Sequence, residues 1–144
     1  MIKLVKISID ELKQYVTIAY ENDSDLFDKY HIGKFNLEQC VESTMAMIKE
    51  MCLYKEVNHY AVMYKNKSIG YVDIFENYLY SYGIAIAFRK KKILVEWWDE
   101  VRKTIGTNFI TGIYNNNERA LNFLIKNGMK IVSKTDKTIT LINI

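Results

Sequence analysis

"FRKKKILVEWW", Phe88 to Trp98, sets four consecutive cations, Arg89, Lys90, Lys91 and Lys92, between an apolar run, "YGIAIA", and a stretch with helical spacing. A helix N-terminus already carries roughly half a positive charge on its exposed N–H groups, so four cations are unfavourable there unless something offsets them. One reading is an anion docked at the helix start, held by the free N–H donors and the side chains together. The other is a solvated corner, with the lysines paired to Glu96 or Asp99. Beyond the cations, Leu94, Trp97, Val101 and Ile105 recur on one helical face, with Trp98 beside them. A strand, a short cationic loop and a helix are therefore expected in succession.

Upstream of this unit, "YLYSYGIAIAF" reads as a strand with unequal faces. Tyr78, Tyr80, Tyr82, Ile84, Ile86 and Phe88 are large, whereas Ser81, Gly83, Ala85 and Ala87 are small. A pared-down face accepts a closely packed helix backbone or a ligand. Before it, "HYAVMYK" and "SIGYVDIFE" alternate with period 2 around "NKS", which predicts a hairpin with Asn66 and Lys67 in the turn. Two helices precede the hairpin. Ser8 with Glu11 forms a capping box for the first, and Asn36 with Gln39 caps the second. Downstream, "NFITGIY" is a short strand and "NNNERALNFLIKNG" a helix capped by Asn and stopped by Gly128. "MKIVSK" and "KTITLINI" form a closing hairpin around "TD". With "IKLVKI" in front, the order is β-α-α-β-β-β-α-β-α-β-β, an α/β (α+β) arrangement without repeat, linker or proline.

Composition narrows the function classes. The chain has 144 residues, 49% hydrophobic and 26% charged, which suits one globular domain over 1–144. No apolar run approaches the ~20 residues of a membrane span. "MIKLVKISIDELKQ" has no signal-peptide core, so a cytoplasmic protein without a membrane partner is expected. Lys and Arg against Asp and Glu number 7 to 10 over residues 1–60 and 13 to 7 over 61–144. The basic half favours an anionic ligand, yet it lacks the dense stripe of a nucleic-acid interface. Cys40 and Cys52, twelve positions apart on one predicted helix, would lie about 18 Å apart, too far for a disulfide, and both are expected to be buried thiols. Neither His31 nor His59 has ligand spacing for a metal.

The element order, together with "NNNERALNFLIKNGMKIV", resembles the GNAT N-acetyltransferase superfamily over essentially the whole chain. Asn117, Ala120, Gly128 and Met129 match its "N-x-x-A…G-(aromatic or apolar)" signature. The resemblance implies a mixed, mostly antiparallel central sheet flanked by about four helices. It also implies acetyl-CoA as co-substrate, with the pyrophosphate on the loop before the third helix. Carried over residue by residue, the cofactor-binding set is Ile86, Phe88, Arg89, Lys91, Lys92, Ile93, Leu94 and Asn117, with the pantetheine arm against Gly83, Ala85 and Ala87. The loop departs from the family's Arg/Gln-x-x-Gly-x-Gly/Ala: Arg89 matches, but Lys92 and Leu94 occupy the small positions. Where many members have a catalytic tyrosine, four residues after the alanine, this chain has Leu124.

Substitutes for that general acid are Tyr82 and Tyr114. Glu76 and Asp73 are the candidate general bases, and Asp73, inside an otherwise apolar strand, is expected to face a cleft or water. The loop "NDSDLFDKYHIGKF" falls where the family binds its acceptor, and Asp23, Asp25 and Asp28 suit a cationic amine, small-molecule or peptide. An acetyl-CoA-dependent N-acetyltransferase is the leading expectation. The alternatives are a catalytically degenerate GNAT-fold binding or structural protein, as among short bacteriophage proteins, and a small anion-binding or nucleic-acid-associated domain that uses the basic C-terminal part. A homodimer through the strands after the last helix is open.

Overall fold

The computed structural model describes residues 1–25, 34 and 36–143. Strand β1 (Ile2–Ile7) leads into helices α1 (Ile9–Tyr20) and α2 (Leu37–Met51). Glu11 Oε1 accepts from Ser8 N at 3.0 Å, and Asn36 Oδ1 accepts from Gln39 N at 2.8 Å, so both caps form as their residues dictate. Three strands follow, β2 (Asn58–Tyr64), β3 (Lys67–Phe75) and β4 (Tyr78–Ile84). Helix α3 (Lys91–Ile105), β5 (Ile110–Tyr114), α4 (Glu118–Lys126), β6 (Lys130–Lys134) and β7 (Thr138–Ile142) complete the order. His31 and Asp28 lie outside the described residues.

The seven strands form one sheet in the order β1-β2-β3-β4-β5-β7-β6. Every neighbouring pair is antiparallel except β4 and β5. Two cores lie on its two faces. One gathers Leu12, Val16, Ala19, Val41, Met45 and Ile48 of α1 and α2 against Tyr71. The other packs Trp97, Trp98 and Val101 of α3 and Leu124 of α4 against Val62, Val72, Leu79 and Ile113. Both tryptophans are thus core residues.

Three details of the sequence reading are corrected. The β2–β3 turn is Lys65–Asn66, with φ of 49° and 65°, and Lys67 already belongs to β3. Two consecutive left-handed residues give the turn whose twist matches the flanking strands. The strand expected to run to Phe88 ends at Ile84, and Ile86–Phe88 form a single 3₁₀ turn. Cys40 is buried, but Cys52, just past the end of α2, is exposed.

A bulge decides the faces of β4. Asp73 pairs with Ser81 but Ile74 with Leu79, so Tyr80 is an extra residue. Parity reverses there. Tyr78 stacks on Phe75 and Tyr80 tilts against it, next to the α1–α2 core, whereas Tyr82 turns to the other face against Trp97. Of the two occupants expected for the small face, Gly83 meets the helix: a Cβ there would lie 3.0 Å from the Ala19 methyl of α1 and 3.3 Å from the Tyr71 ring. The Cβ side of Gly83 is taken up by α1.

Candidate active site

Strands β4 and β5 run parallel, but their pairing is confined to Tyr78 with Ile110 and Leu79 with Thr111. Past these pairs they separate, and the facing edges of residues 80–84 and 112–114 share no ladder. The loops at the open end lead into α3 and α4, so two helix N-termini stand over the fork. Open backbone edges and two helix dipole ends are thus gathered at one end of the sheet, the groups that an extended, anionic ligand would need.

The two helix starts differ. Asn117 Oδ1 accepts from Ala120 N at 3.2 Å and closes the start of α4, as its sequence signature predicts. Lys90 is the N-cap of α3 and supplies no side-chain cap, and the first turn holds no acidic residue. Lys90, Lys91 and Lys92 are exposed, and among the described residues none forms an ion pair. Glu96, one expected partner, instead receives Ile2 N at 3.2 Å and lies 3.7 Å from the terminal amine. Ile93 and Leu94 are half-buried against the α3–α4 core. Of the two residues at the family's small positions, Leu94 is therefore turned inward and Lys92 is exposed; Leu94 N bonds Lys90 O at 2.9 Å as the first intrahelical hydrogen bond. The N–H groups of Lys91, Lys92 and Ile93 precede that bond and have no intrahelical acceptor.

Arg89 is occupied otherwise. Its Nε donates to Ile84 O at 2.8 Å, and Nη1 lies 2.8 Å from Oδ2 of the buried Asp23. Asp25 pairs with Arg119 at 2.7 Å. The described carboxylates of the expected acceptor loop are thus each matched to an arginine, one beside each helix start. Phe88 packs edge-on to Tyr64 with Lys67 Nζ 5.2 Å from its ring centre, while Ile86 is exposed on the 3₁₀ turn.

Tyr82 lies on the α3–α4 face of β4. Its ring lies 5.6 Å from Trp97, and its buried hydroxyl has no hydrogen-bond partner. Burial pushes its pKa up to about 12; Thr111 on β5 draws it slightly the other way without a well-aligned hydrogen bond. Thr111 itself donates to Leu79 O at 2.8 Å, at the closed end of the fork. Tyr114 stands at the end of β5 and is 52% exposed. On the opposite face a hydroxyl chain runs from Ser81 through Tyr71 (2.8 Å) and Tyr20 (3.4 Å) to Thr44 (2.6 Å). Burial raises both of these tyrosines. A cavity of about 290 Å³ lined by Tyr20, Asn22, Asp23, Ser24 and Leu37 opens beside it.

The candidate bases are not equivalent. Glu76, in a left-handed turn between β3 and β4 (φ 52°), is exposed and 2.9 Å from Lys55 Nζ. Asp73, expected to face a cleft or water, is 0% exposed. Its Oδ1 lies 2.8 Å from His59 Nδ1, and burial raises its pKa against the pull of that histidine. The sequence reading missed this pair. The signal was an aspartate in an apolar strand, with a histidine on the neighbouring one.

No protein-family model matches the sequence, and no curated protein does either. Solved structures do. An acetyltransferase from Thermus thermophilus superposes with a TM-score of 0.72 at 11% identity, covering 99% of this chain and 96% of that one. The PaiA N-acetyltransferase of Thermoplasma acidophilum in complex with coenzyme A gives 0.66 at 14% identity, covering 100% and 99%. A probable acetyltransferase of the GNAT family from Chromobacterium violaceum gives 0.70 at 11%, covering 98% and 81%. Together with the forked sheet and the two helix starts above it, these likenesses establish that the chain has the fold of the GNAT acetyltransferases.

Proposed function

We propose that the chain is a single-domain acetyl-CoA-dependent N-acetyltransferase, acting in the cytoplasm on an amine acceptor. The fork between β4 and β5 carries the reading. Parallel strands that part after two pairs leave unpaired backbone, which a pantetheine amide chain would satisfy as a strand does. The residues fit such a group: the uncapped start of α3, with N–H donors of Lys91, Lys92 and Ile93 and the ammonium groups of Lys91 and Lys92, would hold its phosphates. Arg89 shapes the loop through Ile84 and Asp23 and leaves phosphate binding to its neighbours.

Acetyl-CoA supplies an activated acetyl thioester. The chain's own residues manage protons and orientation. Tyr82, a buried phenol on β4 with an unused proton, serves as general acid toward the leaving thiolate. Glu76, the exposed carboxylate of the candidate pair, takes the acceptor's proton through water. Asp23 and Asp25 are already paired to arginines, so neither is a free anion for the acceptor's ammonium.

Titration calorimetry with acetyl-CoA, on wild type and on Lys91→Glu/Lys92→Glu, tests the reading. Micromolar binding that weakens at least tenfold in the variant supports it; no binding at millimolar ligand refutes it. That refutation would favour a fold retained for binding alone. One observation points that way: Arg89, the one residue matching the family's loop pattern, is already bonded within the protein.

A further inference from the structure

Away from the fork, at the far end of α2, three side chains from three elements converge. Cys52 follows α2, His59 lies on β2 and Asp73 lies on β3, directly opposite His59 in the strand register. Asp73 Oδ1 is 2.8 Å from His59 Nδ1, and His59 Nε2 is 3.9 Å from Cys52 Sγ, within reach of a sulfur hydrogen bond. His59 and Asp73 are 6% and 0% exposed, whereas Cys52 is exposed, with Leu53 and Tyr54 standing out beside it.

The order of contacts matches that of a general-base nucleophile. A carboxylate accepting Nδ1–H fixes the tautomer that leaves the Nε2 lone pair toward the thiol. Burial of the aspartate and histidine holds the orientation, and Cys52 lies at the surface, where an electrophile can meet it. Partial desolvation of the sulfur and the nearby Asp73 charge push the Cys52 thiol up, which is where a neighbouring base such as His59 is of use. Negative charge at the site disfavours anionic electrophiles, and the flanking apolar side chains favour neutral ones.

We propose that Cys52, His59 and Asp73 form a second reactive site, an acyl-accepting thiol that takes an acyl group from a neutral thioester. His59 Nε2 removes the Cys52 proton as sulfur attacks the acyl carbon. A new S–C(acyl) bond forms, the donor's C–S bond breaks, and the proton passes from His59 to the departing thiolate. No redox change occurs. Cys52 and His59 are the catalytic pair, and Asp73 is a positioning residue.

The test uses S-acetyl-N-acetylcysteamine, a thioester without phosphates, so its outcome is independent of acetyl-CoA binding at the fork. Acetylation is followed by peptide mass spectrometry, with buried Cys40 as internal control. The expected result is acetylation of Cys52 at pH 7 at least tenfold faster than of free N-acetylcysteine, and a fall of tenfold or more in His59→Gln. Asp73→Asn is expected to slow the reaction and to remove the neutral-pH plateau from its pH–rate profile, leaving a rate that climbs with thiolate alone. The groups facing the thiol in that profile are His59 from β2 and Asp73 from β3; on its own segment, Lys55 is held by Glu76. Equal rates for Cys52 and free N-acetylcysteine would overturn the proposal. So would a folded His59→Gln variant that reacts as fast as wild type.

Discussion

Tyr82 bears a phenol buried without a partner, and a fold keeps such a group at a cost. Tyr82→Phe removes the orphan and is expected to leave stability at pH 7 unchanged or slightly higher. The alkaline limb separates the two proteins. Tyr82 titrates near 12 in the fold and near 10 unfolded, so its contribution is complete below pH 10 and is lost as pH rises toward 12. The variant should therefore lose about 2 kcal/mol less than wild type between pH 9 and 12 in urea titrations. If Tyr82 is the general acid, the same variant lowers kcat by about a hundredfold, with KM for acetyl-CoA little changed. Gly70 is a purely structural case. A Cβ there would lie 2.0 Å from the Gly83 carbonyl oxygen on β4, backbone that cannot move without opening the sheet. Gly70→Ala is expected to cost about 3 kcal/mol or more, measured as a drop in the urea midpoint.

At the scale of elements, the start of α3 sets helix electrostatics against ligand binding. Three lysines at or beside an uncapped N-terminus oppose the dipole, so Lys91→Glu/Lys92→Glu should stabilise the empty protein by roughly 0.3–1 kcal/mol, visible as a higher melting temperature. The same change should abolish the stabilisation that acetyl-CoA gives wild type. A solvated corner would show the first effect without the second. Strand β6 is the other exposed element. All five residues from Lys130 to Lys134 are solvent-accessible at the sheet edge, and a lysine at each end guards it against pairing with a further strand.

For the whole molecule, the two cores share one sheet: Tyr71 faces α1 and α2 while Val72, its neighbour, faces α3 and α4. Losing either core unsupports the strands of the other. If the chain is a single domain, urea unfolding followed by Trp97 and Trp98 fluorescence, which reports the α3–α4 face, should coincide with the far-UV circular dichroism of all helices. Separated midpoints would show two units.

Local chemistry was readable in the chain itself. Both helix caps of the first half, the cap and glycine stop of α4, the cationic start of α3 and the order of strands follow from short-range patterns, because caps and alternation depend on residues a few positions apart. What tertiary structure alone decided was register. The Lys65–Asn66 turn pairs Tyr64 with Lys67, and an unbroken ladder from there would set His59 against Val72; the extra residue Ile69 on β3 brings Asp73 opposite His59 instead. The extra Tyr80 on β4 likewise turns Tyr82 from the α1–α2 face to the α3–α4 face, against Trp97. A bulge is settled by how two strands twist against the helices on both faces, a contest between distant contacts that no local spacing records. Arg89 shows the same limit, since its partner Asp23 is sixty-six positions away and meets it only when α1 packs across β4.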